Sequence, residues 1–586
     1  MTRIGQERLL VGATPLRREQ VVAVARGGAG VTLEESALDR LREVRGRIDE
    51  LAESPKPVYG VSTGFGALAL RHIPADRRID LQRSLIRSHA AGAGTAVEPE
   101  VVRAMMLLRL RTLMSGHTGV RVETAQALAG LLDNGIVPVV HEYGSLGCSG
   151  DLAPLAAVAL ALMGEGEVLT DSAAAYSDDA PGQLPPATTR LFADPDLRDP
   201  RPDATGGLRS GDSGGPRQGD SGRPRPDAAA RPVAQVSAIP DAIGWQPAYT
   251  RPAAEALAAA GLEPLVLAEK EGLALTNGTD GMLAMLLLAI DDLHTLLDVA
   301  DLTAAMSVEA LLGTDRVFAA DLQALRPHPG QARSASHMRT ALAGSEIMAS
   351  HRGDDCPRVQ DAYSLRCAPQ VHGAARDTLA HAELVAEREL ASAIDNPVVL
   401  DDGRVESNGN FHGAPVGYVL DFLAIAVADV AGIAERRTDR MLDVHRSHGL
   451  PPFLADDPGV DSGYMIAQYT QAGTVSELKR LAVPASVDSI PSSAMQEDHV
   501  SMGWSAARKL RRAVDGLTTV LAIELLTAAR ALDLRAPLEP AAVTAAARDL
   551  VRSRVAGPGP DRHLAPDIAA VVELVRSGAF GMLLAE

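Results

Sequence analysis

The sequence predicts a mostly α protein, a bundle of long helices with a smaller mixed region toward the N-terminus. Aromatic residues are only 3% of the 586, so the core has to be built from Leu, Ala, Val and Met. Ala and Leu are strong helix formers, whereas β-branched and aromatic runs are scarce. Long Ala/Leu/Val segments recur at about 279–312, 374–394, 413–445, 464–482 and 503–533. Each exceeds an average helix in length, as bundles require.

Along the chain, residues 1–170 hold a helical pattern at 33–53, an expected short strand at 136–140 and an apolar helix starting near 152. From about 171 to 247 the chain turns rich in Pro, Gly, Asp, Arg and Ser and contains no Lys or Glu. Fragments recur there: RPDA at 201 and 225, GDSG at 211 and 219. A stretch with so few large apolar side chains does not offset its ordering entropy, so a disordered insert is expected, with Trp245 a candidate for docking on the folded body. The remainder, 248–586, carries the five long segments and no repeat.

Composition excludes several classes of function. A formal net charge of −19 repels phosphate backbones and anionic lipid, so neither a nucleic acid nor a membrane partner is expected. Three cysteines, at 148, 356 and 367, make no disulfide framework and point to a reducing, cytoplasmic setting. The opening MTRIGQERLL lacks an apolar leader core. GMLAMLLLAI (281–290) is bounded by Asp280 and Asp291, and the 413–428 run is broken by Asp421, so both read as buried helices. The sequon Asn277-Gly278-Thr279 is without meaning unless the chain is secreted.

The motif GSLGCSGDLAPL (144–155) carries the chemistry. At its plainest it starts a helix, with Ser149 or Asp151 as cap and Gly150 easing the turn. A serine-hydrolase elbow needs G-x-S-x-G, and Asp151 stands where the second glycine belongs. A sharper chemistry is available. The amide nitrogen of Gly150 can close onto the carbonyl of Cys148, because glycine has no Cβ to obstruct the turn. Loss of water from that ring, and of the Ser149 hydroxyl, leaves an exocyclic methylidene. The product, 4-methylidene-imidazol-5-one, is an electrophile that no coded side chain provides.

This run resembles the self-made cofactor motif of the aromatic amino-acid lyase family, and the resemblance extends over nearly the whole chain outside 171–247. The family usually has Ala where this chain has Cys148; only that residue's backbone enters the ring, so cyclisation is expected to survive. VYGVSTGFGALA (58–69) resembles the family's N-terminal signature and marks Tyr59 as the candidate base. A rival dinucleotide reading of Gly64-Phe65-Gly66-Ala67-Leu68-Ala69 lacks βαβ alternation around it. RSLIRSHAAG (83–92) gives Ser88-His89, the pairing of histidine-acting members, where members acting on phenylalanine or tyrosine favour Phe-Leu or His-Leu. KEGLALTNGTDG (270–281) supplies Asn277, with Thr276 replacing a commoner Leu, and VQDAYSLRCAPQVHG (359–373) supplies Gln360, Tyr363 and Arg366. SNGNFHG (407–413) supplies Phe411, and PASVDSIPSSAMQEDHVSM (484–502) supplies Glu497. Cys356, Cys367 and His372 match no usual zinc spacing, so no metal is expected.

The resemblance implies an ammonia-lyase acting on L-histidine to give trans-urocanate, with no dissociable cofactor. It implies that Arg366 clamps the α-carboxylate as a planar bidentate donor and that His89 and Glu497 hold the imidazole. Gln360 and Phe411 shape the pocket, and Asn277 hydrogen-bonds near the ring or the substrate. Tyr59 takes the β-proton, which near neutrality needs help from positive charge or a helix N-terminus, and Tyr363 assists. Either the amine or the ring of the substrate could attack the electrophile. A homotetramer of helical bundles is implied too, with active sites drawn from several subunits. The alternatives are an aminomutase or a lyase for another aromatic amino acid, opposed by Ser88-His89 and Glu497, and a non-catalytic helical paralogue, opposed by the presence of Tyr59, Ser149 and Arg366.

Overall fold

Helices of up to 31 residues dominate the computed structural model, which describes residues 8–54, 58, 60–64, 71–170, 250–353 and 359–584. In chain order the elements that matter for the site are helices α1 (Glu35–Glu53), α2 (Arg78–His89), α3 (Pro99–Met114), α4 (Leu152–Leu162) and α5 (Glu271–Thr276). They are followed by α6 (Asp280–Ala310), α7 (Tyr363–Arg366), α8 (Ala368–Leu390), α9 (Ala414–Leu442), α10 (Met465–Leu481) and α11 (Gly503–Asp533). The fold is mostly α, and the long segments predicted from composition are helices within a few residues of their expected bounds.

α6, α8, α9, α10 and α11 form the bundle: α9 and α11 pack along one another, α6 lies against α11 and α8, and α10 lies against α9 and α11. The first eleven residues of α6, Asp280 to Ile290, are all buried, the pattern of a helix enclosed on every side. Midway along, the buried Glu524 of α11 is satisfied from three directions. Thr303 Oγ1 donates at 2.8 Å, Ser307 Oγ at 2.7 Å and Arg437 Nη2 at 2.9 Å. A charge so deep is tolerable only with its lone pairs filled, and the network fixes the register of α6, α9 and α11. α9 is long and apolar enough to cross a membrane by length and composition alone. Its Asp421, however, is buried and pairs with Lys509 of α11 at 2.6 Å, and α6, α8, α10 and α11 pack against the helix.

The N-terminal part adds short two-stranded pairings. Strands β1 (Ala93–Ala96) and β2 (His141–Tyr143) pair antiparallel, as do β3 (Glu167–Leu169) and β4 (Thr250–Pro252). The strand expected at 136–140 is not formed; the nearest strand is β2, just beyond it. Val139 N–H donates to Glu167 O and Leu169 N–H to Val137 O, both at 2.9 Å, so the chain does run beside β3. Pro138 has no N–H to continue the ladder, and a single bridge to Val168 remains. The described residues on both sides of the 171–247 segment pack as one unit. That segment itself, with Trp245, lies outside the described residues, as do Tyr59 and Cys356.

Candidate active site

The loop 144–151 is a tight turn built on glycine. Gly147 and Gly150 have φ of +66° and +77°, a region costly for side-chain-bearing residues. Gly150 forms a bridge with Gly278, and a Cβ on Gly150 would sit 2.0 Å from the Gly278 oxygen. No other residue type fits there. Gly150 thus sits in a positive-φ turn directly after the half-buried Ser149, with no Cβ to obstruct closure onto Cys148. On this test the three residues fit the imidazolone.

Sequence reading placed Asp151 at the start of α4, and it does occupy the cap position, but its side chain does not cap its own helix. Its carboxylate turns instead to α6, accepting from Met282 N–H at 2.8 Å and from the Ser145 hydroxyl at 2.9 Å. Complete burial, with Asp280 nearby, pushes its pKa up to about 7 despite those hydrogen bonds.

Against this loop lies Asn277, at the end of α5, buried and donating Nδ2–H to Asn396 O at 3.0 Å. Buried ion pairs pin the segment: Lys270 with Asp395 before it and Arg109 of α3 with Asp280 after it. Gly278 has to be glycine, because a Cβ there would fall 1.5 Å from Arg109 Nη2. Gly60, the described neighbour of Tyr59, packs close by: a Cβ on it would meet Leu273 of α5 at 2.6 Å and Pro397 at 3.2 Å.

Three of the predicted residues, drawn from distant motifs, converge. Cys148 is buried beside Glu497. That burial, and then the carboxylate, push its thiol up to about 12, so it is neutral. His89, at the last turn of α2, has its pKa lowered by burial, and the carboxylate of Glu497 opposes that shift. Ser88 Oγ donates to Leu85 O at 2.9 Å and lies 3.1 Å from His89 Nδ1. The hydroxyl and the imidazole are thus within hydrogen-bonding distance, and the imidazole tautomer sets which of them donates. Glu497 is oriented by the Ser492 hydroxyl at 2.9 Å. Phe411 stands just before α9, next to His412, whose ring stacks on that of His499 at 5.7 Å.

Gln360, Tyr363 and Arg366 lie elsewhere. They sit on and beside α7, where the Arg366 guanidinium covers the Tyr363 ring at 4.7 Å, and both Gln360 and Tyr363 are exposed. Their neighbour Asp361 accepts from Thr314 N–H at 2.6 Å, just past the C-terminus of α6, whereas Gly278 immediately precedes its N-terminus. Thirty-one residues of α6 therefore separate the two groups, about 45 Å of helix. Within one chain they do not share a pocket.

Sequence reading missed the residues that hold the loop in place: Ser145, Gly278, Met282 and Ser501 around it, and Arg109 and Asp280 behind it. Arg109 had a signal, an arginine inside the apolar run MMLLRLRTLM (105–114). Among the described residues Asp298, Asp301 and His337 lie close enough to share a cation, but Arg376 already pairs with both carboxylates, at 2.7 and 2.6 Å. Cys367 is free, and His372 Nδ1 is engaged by Asp301 at 2.8 Å.

A sequence model described as aromatic amino acid lyase matches residues 16–191 and 233–553. A histidine ammonia-lyase of Streptomyces avermitilis is 59% identical over 572 residues, covering 97% of each chain. The crystal structure of histidine ammonia-lyase from Trypanosoma cruzi superposes with a TM-score of 0.79 at 34% identity, over 99% of this chain and 95% of that one. A tyrosine aminomutase from Streptomyces globisporus gives a TM-score of 0.81 at 33% identity, over 98% of both.

Proposed function

The chain belongs to the aromatic amino acid lyase family, and from that premise we propose that it eliminates ammonia from L-histidine to give trans-urocanate. The convergence of His89 and Glu497 beside Cys148 carries this reading, supported by near-full-length identity to histidine ammonia-lyases. Both side chains are polar partners for the ring nitrogens of an imidazole and useless to a benzene ring.

Two obstacles define the reaction: ammonium leaves poorly and the β-proton is barely acidic. A 4-methylidene-imidazol-5-one made from Cys148, Ser149 and Gly150 supplies the electrophile that addresses the first, without a metal or dissociable cofactor. His89 and Glu497 hold the imidazole, and Gln360 and Phe411 wall the pocket. Arg366 clamps the carboxylate through a bidentate pair, which fixes the plane of the substrate. Asn277 hydrogen-bonds beside the reacting centre. Tyr59 takes the β-proton, and Tyr363, under the Arg366 guanidinium, handles protons at the same end.

Because α6 holds the 360–366 group far from Ser149, a complete site needs more than one copy of the chain, as in the homotetramer the family resemblance implies. An apolar outer stripe supports assembly: Tyr418, Phe422 and Ile425 of α9, with Ile466 and Tyr469 of α10, are all exposed. A cytoplasmic location is part of the same reading, as three cysteines make no disulfide framework.

Incubation with L-histidine while recording the near-ultraviolet absorbance of urocanate tests the reading. Product is expected from histidine, with little from phenylalanine or tyrosine. Product from tyrosine or phenylalanine but none from histidine would overturn the assignment.

A further inference from the structure

The three residues of the cofactor triad are suspended between two anchors from distant parts of the chain. On the C-terminal side, Asp151 N–H donates to Gly278 O at 2.7 Å, and the Asp151 carboxylate is tied to α6. On the N-terminal side the anchor comes from the residues just before α11. Met502 N–H donates to Leu146 O at 2.9 Å, and Ser501 Oγ donates to Gly147 O, also at 2.9 Å. Ser501 Oγ in turn accepts from Gly503 N–H at 3.1 Å, so the direction of its proton is set. The side chain is 3% exposed and packed so tightly that a Cβ on Gly147 would lie 2.2 Å from its oxygen.

We propose that Ser501 is a positioning residue for cofactor formation: by holding the Gly147 carbonyl, it sets the turn in which the Gly150 nitrogen meets the Cys148 carbonyl carbon. The inference rests on the ring-forming reading of the triad. In that reaction a bond forms from Gly150 N to Cys148 C. The Cys148 carbonyl oxygen leaves as water with the protons of the Gly150 and Ser149 amides, and the Ser149 hydroxyl leaves as a second water with the Ser149 α-proton. No oxidant or added reagent is consumed. The chemistry is intramolecular, so its rate depends on how often the chain visits the closed turn, and an anchor beside the turn acts directly on that frequency.

The test is maturation of Ser501→Ala, followed after synthesis by intact mass (the loss of two waters) and by the long-wavelength absorbance of the ring. Helical circular dichroism and the thermal midpoint report folding separately. Ring formation is expected to slow about tenfold, the factor expected for one lost buried hydrogen bond. Ser501→Cys keeps a weak donor of similar size and should fall between Ala and the natural protein. If both variants fold and mature as fast as the natural protein, the proposal is wrong. If instead the natural protein never shows the two-water loss, the ring reading itself fails, and this inference falls with it.

Discussion

The backbone N–H of Asp151 donates to the carbonyl of Gly278 at 2.7 Å, joining the loop that bears Ser149 to the segment that bears Asn277. Neither side chain is involved, yet the contact decides which residues are tolerated around it. Gly150 faces the Gly278 backbone, and Gly278 is backed by the Arg109 guanidinium in its buried pair with Asp280.

Gly278→Ala tests that crowding. The added methyl meets a guanidinium that is held by Asp280 and also donates Nη1–H to Ala274 O at 3.1 Å, so the arginine cannot swing aside without leaving a buried charge unpaired. A loss of about 1–3 kcal/mol is expected from overpacking, read as a lower urea midpoint of unfolding. An unchanged midpoint would show that the segment yields.

Ser149→Ala and Cys148→Ala should behave differently. Ser149 supplies the methylidene carbon, so Ser149→Ala should fold, keep its full mass and lose nearly all turnover. Cys148 contributes only backbone to the ring, so Cys148→Ala should still lose two waters and keep most of its activity. Burial and then Glu497 push its thiol up to about 12, so it stays protonated at pH 8. Iodoacetamide should therefore leave Cys148 unmodified in the native protein and label it once the chain is denatured, as peptide mass mapping would show.

Linear motifs made much of this site legible. GSLGCSGDLAPL, RSLIRSHAAG and the 484–502 run each carry a distinctive side chain, and folding brings Cys148, His89 and Glu497 together. Gly278 escaped notice because it acts through its backbone, which any sequence would offer, and Ser501 because its hydroxyl serves a backbone carbonyl 354 residues away. The strand expected at 136–140 failed at Pro138, whose missing N–H outweighed the β-branched residues around it. The separation of Arg366 from Ser149 was not readable either. The length of α6 was plain from its apolar pattern, but which motif lay at which end depended on the Asp361 contact beyond its C-terminus.

Replacing 171–247 with a short Gly/Ser linker should leave assembly and turnover largely intact. The two strands flanking the segment are paired, with Leu169 opposite Thr250, so the ends to be joined are already neighbours. Closing such a gap with a short turn costs little, and long surface insertions are cheap to carry or to remove. Loss of the oligomer in size-exclusion chromatography, or a large fall in rate, would show that the segment is used.

Substrate choice should rest on His89 and Glu497. A benzene ring buried against them removes their solvation and gives no partner, a loss of about 1–3 kcal/mol for each unmatched group. Phenylalanine should thus be a very poor substrate. Glu497→Gln should lower kcat/KM for histidine about 10- to 100-fold by the same reasoning. Ser88→Phe with His89→Leu should move the preference toward phenylalanine. Histidine turnover unaffected in Glu497→Gln, together with ready turnover of phenylalanine by the natural protein, would remove the basis for the assignment.

Complementation between inactive variants tests whether the site is shared between copies. One chain holds Ser149 near the N-terminus of α6 and Arg366 beyond its C-terminus, about 45 Å away along the helix. If a substrate bridges both, its electrophile and its carboxylate clamp come from different copies. Ser149→Ala and Arg366→Ala should each be nearly inactive alone. Unfolded together and refolded as mixed assemblies, they generate sites with the loop of one variant and the clamp of the other. With random equal mixing about a quarter of sites should be fully natural, so activity should recover toward that fraction of the natural rate. Simple mixing of preassembled proteins should give far less. An inactive co-refolded mixture, with mixed oligomers confirmed by native mass spectrometry, would mean that Ser149 and Arg366 serve the same copy or that Arg366 is not the clamp. Arg366→Lys separates those outcomes: loss of planar bidentate geometry at a true clamp raises KM for histidine, and a structural arginine would leave it unchanged.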